Sequence, residues 1–155
     1  MQNKNTTEIA LVDPRTPLIA TLIGELDRYM SELYPAESNH LVDLATLARP
    51  DVRFFAVRID DEPVGCGAIM LKGGYAEVKR IYVSPRARGL GLGKLILGRL
   101  ERETRAEGLR LMRLETGTLQ PQALSLFAAM GFARCGCFGD YPADDAYSVF
   151  MEKQL

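Results

Sequence analysis

The chain holds a single histidine and only three cysteines in 155 residues, and its formal net charge is −1. Each scarcity narrows the range of functions. His40 stands alone, and no group of His, Cys, Asp or Glu shows ligand spacing, so no metal is expected. Cys66, Cys135 and Cys137 are odd in number, and their C-x-C pair fits neither the redox nor the zinc C-x-x-C pattern. Free thiols are expected, and with them a reducing, cytoplasmic location. No stretch approaches the roughly 18 to 20 apolar residues of a membrane span, and Met1 to Glu8 is polar, without the apolar core of a signal peptide. No membrane association is expected. With 19 basic against 20 acidic residues there is no bulk attraction for nucleic acid, and any anion site must be built locally. Internal repeats, linkers and low-complexity segments are also lacking, and the length suits a single domain spanning residues 1–155.

Periodicity supplies the elements. Glu8 to Val12 reads as an opening strand that stops at Asp13-Pro14. From Pro17, the residues Leu18, Leu22, Ile23, Leu26, Tyr29, Met30 and Leu33 recur at helical spacing until Pro35. A short helix is expected over Leu41 to Ala48. Val52 to Ile59 carries apolar groups on both faces, the mark of a central strand. Val64 to Leu71 and Tyr75 to Val83 continue it as an antiparallel meander through turns at Asp60-Asp61-Glu62-Pro63 and Gly73-Gly74. An amphipathic helix from Leu92 to Gly108, a strand over Arg110 to Thr116, a helix from Pro121 to Gly131 and strands over Phe132 to Phe138 and Tyr147 to Glu152 complete the chain. This order predicts an α+β (mixed α/β) fold with helices on both faces of a mixed sheet.

Between the third meander strand and its helix lies Arg86-Ala87-Arg88-Gly89-Leu90-Gly91-Leu92-Gly93-Lys94. A glycine turn entering a helix exposes backbone N–H groups without intrahelical partners, and the helix dipole adds positive charge there. Such a turn holds phosphates. The alternative is a merely flexible turn, but three alternating glycines flanked by Arg86, Arg88 and Lys94 exceed what one helix start requires. A P-loop is excluded, because only three residues separate Gly89 from Gly93 and Leu95 follows Lys94. The G-x-G-x-G spacing after a meander also fails the dinucleotide fingerprint.

Arg86-Ala87-Arg88-Gly89-Leu90-Gly91 resembles the Arg/Gln-x-x-Gly-x-Gly/Ala signature of the GNAT (GCN5-related) N-acetyltransferases. The preceding strand Ala76 to Val83 resembles that family's fourth strand, and Gln120 to Phe127 followed by Met130-Gly131-Phe132 its later Asn-x-x-Ala-x-x-Leu-Tyr and Gly-Phe segment. The resemblance implies a sheet of about seven strands flanked by about four helices, with acetyl-CoA as acetyl donor. It places the pantetheine arm along the backbone of Ile81, Tyr82 and Val83 and the pyrophosphate on Arg88, Gly89, Leu90, Gly91, Leu92, Gly93 and Lys94, with Arg86 beside it. The thioester falls where the fourth and fifth strands splay, and Gln120 takes the place of a cofactor-contacting Asn. A small-molecule amine or amino acid is the implied acceptor, with protein N-termini or lysines, or a non-catalytic acyl-CoA module, as alternatives. Relatives in the family are often homodimers, so the resemblance leaves room for a homodimer through the C-terminal strands, while the sequence itself does not specify the oligomeric state.

Acetyl transfer to an amine requires removing a proton from the amine and returning one to the leaving thiolate. Glu77 occupies the position of the family's general base, and strict alternation would set it on one face with Lys79, Ile81 and Val83. Its alternative is a strand carboxylate paired with Lys79 or a neighbour. Phe127 stands where many members have a proton-donating tyrosine, and Phe has no proton to give. Tyr141 is the first replacement considered, against an ordinary loop aromatic, with Cys135 and Cys137 behind it; the other course is for coenzyme A, whose thiol is acidic, to leave as the thiolate without a dedicated acid. Tyr34, Glu37, His40 and Tyr141 are the candidates for acceptor recognition, with a lone surface histidine as the alternative for His40.

Overall fold

The computed structural model describes residues 6–40 and 42–155. Among these described residues, seven strands and four α-helices follow one another as β1 (Thr7–Leu11), α1 (Pro17–Leu33), α2 (Leu44–Leu47), β2 (Val52–Ile59), β3 (Glu62–Leu71), β4 (Ala76–Val83), α3 (Leu92–Ala106), β5 (Leu111–Gly117), α4 (Pro121–Ala129), β6 (Ala133–Arg134) and β7 (Ser148–Gln154). The mixed fold expected from the element order is the one observed. Two expected elements are shorter than their patterns suggest. The helix sought over Leu41 to Ala48 is a single turn capped by Asp43, whose Oδ1 accepts the Thr46 N–H at 2.8 Å; Leu41 itself lies outside the described residues. The strand sought over Phe132 to Phe138 is reduced to Ala133–Arg134. It is a solvent-exposed edge, and without a buried face only one further bond, Cys135 N–H to Phe150 O at 2.9 Å, prolongs its pairing.

The sheet order is β1-β2-β3-β4-β5-β7-β6. All pairs are antiparallel except β4 with β5, because α3 returns the chain to the same end of the sheet. Each face is covered. One carries α3 and α4 over Phe55, Val57, Ile69, Val78, Leu114 and Met151. The other carries α1 and α2 over Phe54, Ala56, Cys66, Ala68 and Tyr82. Strand β2 feeds both, which explains its unbroken apolar run. Each buried Leu or Ile contributes about 1.5–3 kcal/mol from removal of apolar surface from water.

One irregularity governs the site. Cys66 pairs with Tyr82 but Ala68 with Lys79, so β4 carries an extra residue opposite Gly67. Arg80 occupies this bulge at φ +60°, a conformation disfavoured for residues with a Cβ. Its buried guanidinium holds it there, bonding Asp27 of α1 at 2.5 Å and the carbonyl of Val42. The bulge breaks the two-residue period. Glu77 and Lys79 share a face as expected, but Ile81 and Val83 lie on the opposite one: Ile81 sits with Ile96 over Gly67, where a Cβ would come within 2.7 Å of both.

Candidate functional site

Parallel pairing of β4 with β5 covers only Ala76/Met112, Glu77/Arg113 and Val78/Leu114. Beyond Val78 the strands part. The β5-facing backbone of Ile81, Tyr82 and Val83 is left without a strand partner, which is the edge an extended chain can extend by hydrogen bonding. A cleft of about 660 Å³ runs from this edge to the glycine turn, bounded across the gap by Gln120, Ala123 and Leu126. At the turn, Gly89 and Gly91 take φ +81° and +76°, and a Cβ on either would meet nothing within 4 Å. Here the conformation, rather than crowding, selects glycine. Gly91 caps α3 without any side-chain bond, so the first N–H groups of the helix point outward, unclaimed.

Lys94 and Arg88 line this cleft. Arg88 lies over the Tyr29 ring at 5.8 Å and its Nε–H donates to Val83 O at 3.2 Å. Arg86 turns away, bound to Glu62, Glu25 and Ser84. Leu90 is exposed and outside the cleft. The turn therefore supplies two of its three cations.

Where the strands part, the cleft meets a second cavity of about 100 Å³, and Ile81, Gln120 and Ala123 line both. Tyr34, His40, Lys79, Glu115, Phe127 and Tyr147 complete much of its wall. His40, far from being a free surface group, is fixed by Nε2···Asp145 Oδ2 at 3.2 Å and an edge-on contact with Tyr141 at 5.4 Å. Asp145 also accepts from Ser38 Oγ at 3.1 Å and Tyr147 N–H at 2.9 Å. These bonds, led by that of the Tyr147 backbone, hold its carboxyl below the usual range. Glu37 does not line the cavity.

Glu77 and Tyr141 are brought together, but behind the cavity wall rather than in it. The Tyr141 hydroxyl donates to Glu77 Oε2 at 2.5 Å, and Lys79 Nζ lies 2.9 Å from the same oxygen while also contacting the Tyr141 hydroxyl. Burial, then the Glu77 charge, pushes the Tyr141 phenol well above its ordinary value. The pairing with Lys79 weighed as the alternative for Glu77 is present, though buried rather than solvent-facing.

Two site residues escaped the sequence reading. Glu115 of β5 opens directly on the cavity; its carboxylate accepts from Ser148 Oγ at 2.9 Å, and burial raises its pKa despite that bond and the nearby His40 and Lys79. Strand alternation could have shown that Glu115 faces away from Leu114, but not that a gap opens there. Asp145, in the loop before β7, left no signal. Among the described residues, no group of three or more His, Cys, Asp or Glu could hold a metal ion, and no helix is long and apolar enough to cross a membrane.

Residues 19–132 match the pattern of the Acetyltransferase (GNAT) family. The chain is 51% identical, over 95% of its length and 97% of the relative's, to the IAA acetyltransferase of Azospirillum brasilense. A crystal structure assigned as an acyl-CoA N-acyltransferase from Klebsiella pneumoniae superposes with TM-score 0.84 at 36% identity, covering 96% of this chain and 97% of that one. The PaiA N-acetyltransferase of Thermoplasma acidophilum, solved with coenzyme A, shares the fold at TM-score 0.73 and 19% identity, covering 97% and 99%.

Proposed function

The chain belongs to the GNAT acetyltransferase family, whose members use acetyl-CoA, and we propose that it transfers the acetyl group to a primary amine of a small molecule or amino acid. The observation that carries this reading is the small cavity joined to the cleft and walled by a buried carboxylate. The open glycine turn and the unpartnered β4 edge suit the donor: Gly89, Gly91, Arg88 and Lys94 would take its phosphates, and Ile81 to Val83 its pantetheine amides. When bound, the donor supplies an activated acetyl carbonyl. Backbone N–H groups of β4 beside the bulge are suited to polarise that carbonyl, and being fixed by the sheet they need no reorganisation.

The amine must lose a proton before it can attack. Glu77, the expected base, reaches the cavity only by way of Lys79, and its Oε2 already accepts two bonds. Glu115 faces the cavity, and its raised pKa makes it a stronger base than an exposed carboxylate. We therefore assign proton removal to Glu115 and give Glu77 the positioning of Lys79 and Tyr141.

Acceptor size favours a small molecule. Asp145 ties the segment around His40 to the loop before β7, closing the cavity on a side where a peptide would need room. Thiol release from acetyl-CoA should be followed over a panel of free amines, amino acids, the IAA acted on by the Azospirillum relative, and N-terminal and lysyl peptides. Turnover confined to peptides would overturn the small-molecule assignment. Protein that binds coenzyme A yet turns over nothing on the panel would leave a binding module instead.

A further inference from the structure

Thioester aminolysis is assisted by a second proton, delivered to sulfur as the C–S bond breaks. Proton donors around the cavity are unevenly placed. Lys79, His40 and Arg80 are each held against a carboxylate, of Glu77, Asp145 and Asp27 respectively, and the hydroxyl of Tyr147, the other phenol in the wall, is bonded to no cleft residue among the described residues. Tyr141 lies behind the wall, and Phe127, which lines the cavity on the α4 side, has no proton to give. Tyr34 differs in position. Its hydroxyl donates to Gln120 Oε1 at 3.1 Å and accepts the Leu119 N–H at 3.2 Å. Gln120 lines cleft and cavity alike, so this phenol stands at their junction.

Three features fix it there. Tyr34 caps α1 with its N–H on Met30 O at 3.0 Å, and Pro35 prevents the helix continuing. Its ring is buried and packs edge-on to Tyr147 at 5.9 Å. Its hydroxyl presses on Gly117 at the end of β5, where a Cβ would fall 1.7 Å from the oxygen, so only glycine admits the phenol.

We propose that Tyr34 is the catalytic acid, protonating the coenzyme A sulfur. As the amine nitrogen forms its bond to the acetyl carbon, the C–S electron pair passes to sulfur and the phenolic proton follows it. The Leu119 N–H stabilises the phenolate, which regains a proton from solvent entering the cavity; the amine's own proton leaves on Glu115. Burial raises the Tyr34 pKa, so the phenol is protonated and ready at neutral pH. This inference rests on the acetyl-transfer reading above, and fails separately from it.

The test is Tyr34→Phe, which keeps the ring, with circular dichroism to confirm folding. We expect kcat to fall about 100-fold or more, at the low end of general-acid contributions, with KM for acetyl-CoA changed less than threefold. Calorimetry with coenzyme A and desulfo-coenzyme A gives a readout independent of turnover. The wild type should prefer coenzyme A by about 3- to 10-fold, the range of one hydrogen bond, and Tyr34→Phe should bind the two within twofold of each other. A kcat within twofold of wild type, a loss confined to KM, or an undiminished preference for coenzyme A overturns the proposal. A wild type without turnover overturns the acetyl-transfer reading instead.

Discussion

His40 Nε2 and Asp145 Oδ2 meet at 3.2 Å although 105 positions separate them in the chain. The bond joins the segment after α1 to the loop before β7, and with Ser38 and Tyr147 on the same carboxylate it closes one side of the cavity proposed for the acceptor. Asp145→Ala should release this side. KM for the acceptor is expected to rise several-fold while the dissociation constant for coenzyme A, measured by calorimetry, stays the same, because the glycine turn is untouched. Equal weakening of both would show that Asp145 supports the whole fold rather than the acceptor end.

Glu115 has a raised pKa through burial, so two consequences share one cause. Catalysis by its carboxylate should grow as pH rises through that pKa, giving an acid limb in kcat/KM that Glu115→Gln abolishes and Glu77→Gln preserves. The reverse pattern would return the base to Glu77. Stability runs the other way. A carboxyl whose folded pKa exceeds its unfolded one contributes most below the unfolded pKa and loses that contribution as pH rises through the folded value. At pH 7, Glu115→Gln should therefore raise the thermal midpoint while lowering activity.

Gly91 and Leu90 adjoin but should respond differently. Gly91→Val forces a Cβ into left-handed backbone at the start of α3, at about 1–2 kcal/mol, and sets a side chain where phosphates would approach. Coenzyme A binding should weaken at least about tenfold. Leu90→Ala, outside the cleft, should leave calorimetric affinity unchanged. Identical behaviour of the two variants would remove the turn from the cofactor site.

Arg80 depends on Asp27 to hold its positive φ. Asp27 is about half exposed, so Asp27→Ala should cost about 1–3 kcal/mol, less than breaking a wholly buried pair. Urea unfolding would read this as a lower midpoint at unchanged slope. Activity should fall more than stability predicts, since the bulge also sets the β4 edge that the donor would occupy.

Cys66 is fully buried, and desolvation pushes its thiol up to about 12. Cys137 is exposed. Because the thiolate is the reactive form, a thiol-alkylating reagent followed by mass spectrometry should label Cys137 first and Cys66 only after unfolding. Native labelling of Cys66 would contradict the packing of β3 against β4.

Much of the molecule was legible in the chain itself. Proline and glycine punctuation bounded α1, α3 and α4 within a residue or two, and the apolar run Val52 to Ile59 announced a strand buried on both faces. Segments lacking a buried side, such as Ala133–Arg134, were overcalled because sequence pattern does not reveal how few partners an edge will find. Helical and strand periods depend on neighbours three to four or two positions away, and so are written locally. The glycine turn is local for the same reason: positive φ at Gly89 and Gly91 and unclaimed N–H groups at the start of α3 need no distant contact.

Sequence alone thus determined the elements, their order and the glycine turn proposed to take the donor's phosphates. Only the tertiary structure decided the chemical end of the site. Alternation assigned Glu77 the same face as Ile81 and Val83 on the assumption of an unbroken ladder. The bulge at Arg80, anchored across the fold by Asp27 and the carbonyl of Val42, reversed the register beyond it. Glu115 became a cavity carboxylate only because β4 and β5 part beside it, and the hydroxyl of Tyr34 reached Gln120 only because Gly117, 83 residues further on, leaves it room. These outcomes depend on which surfaces meet, and that is fixed by packing between segments far apart in the chain.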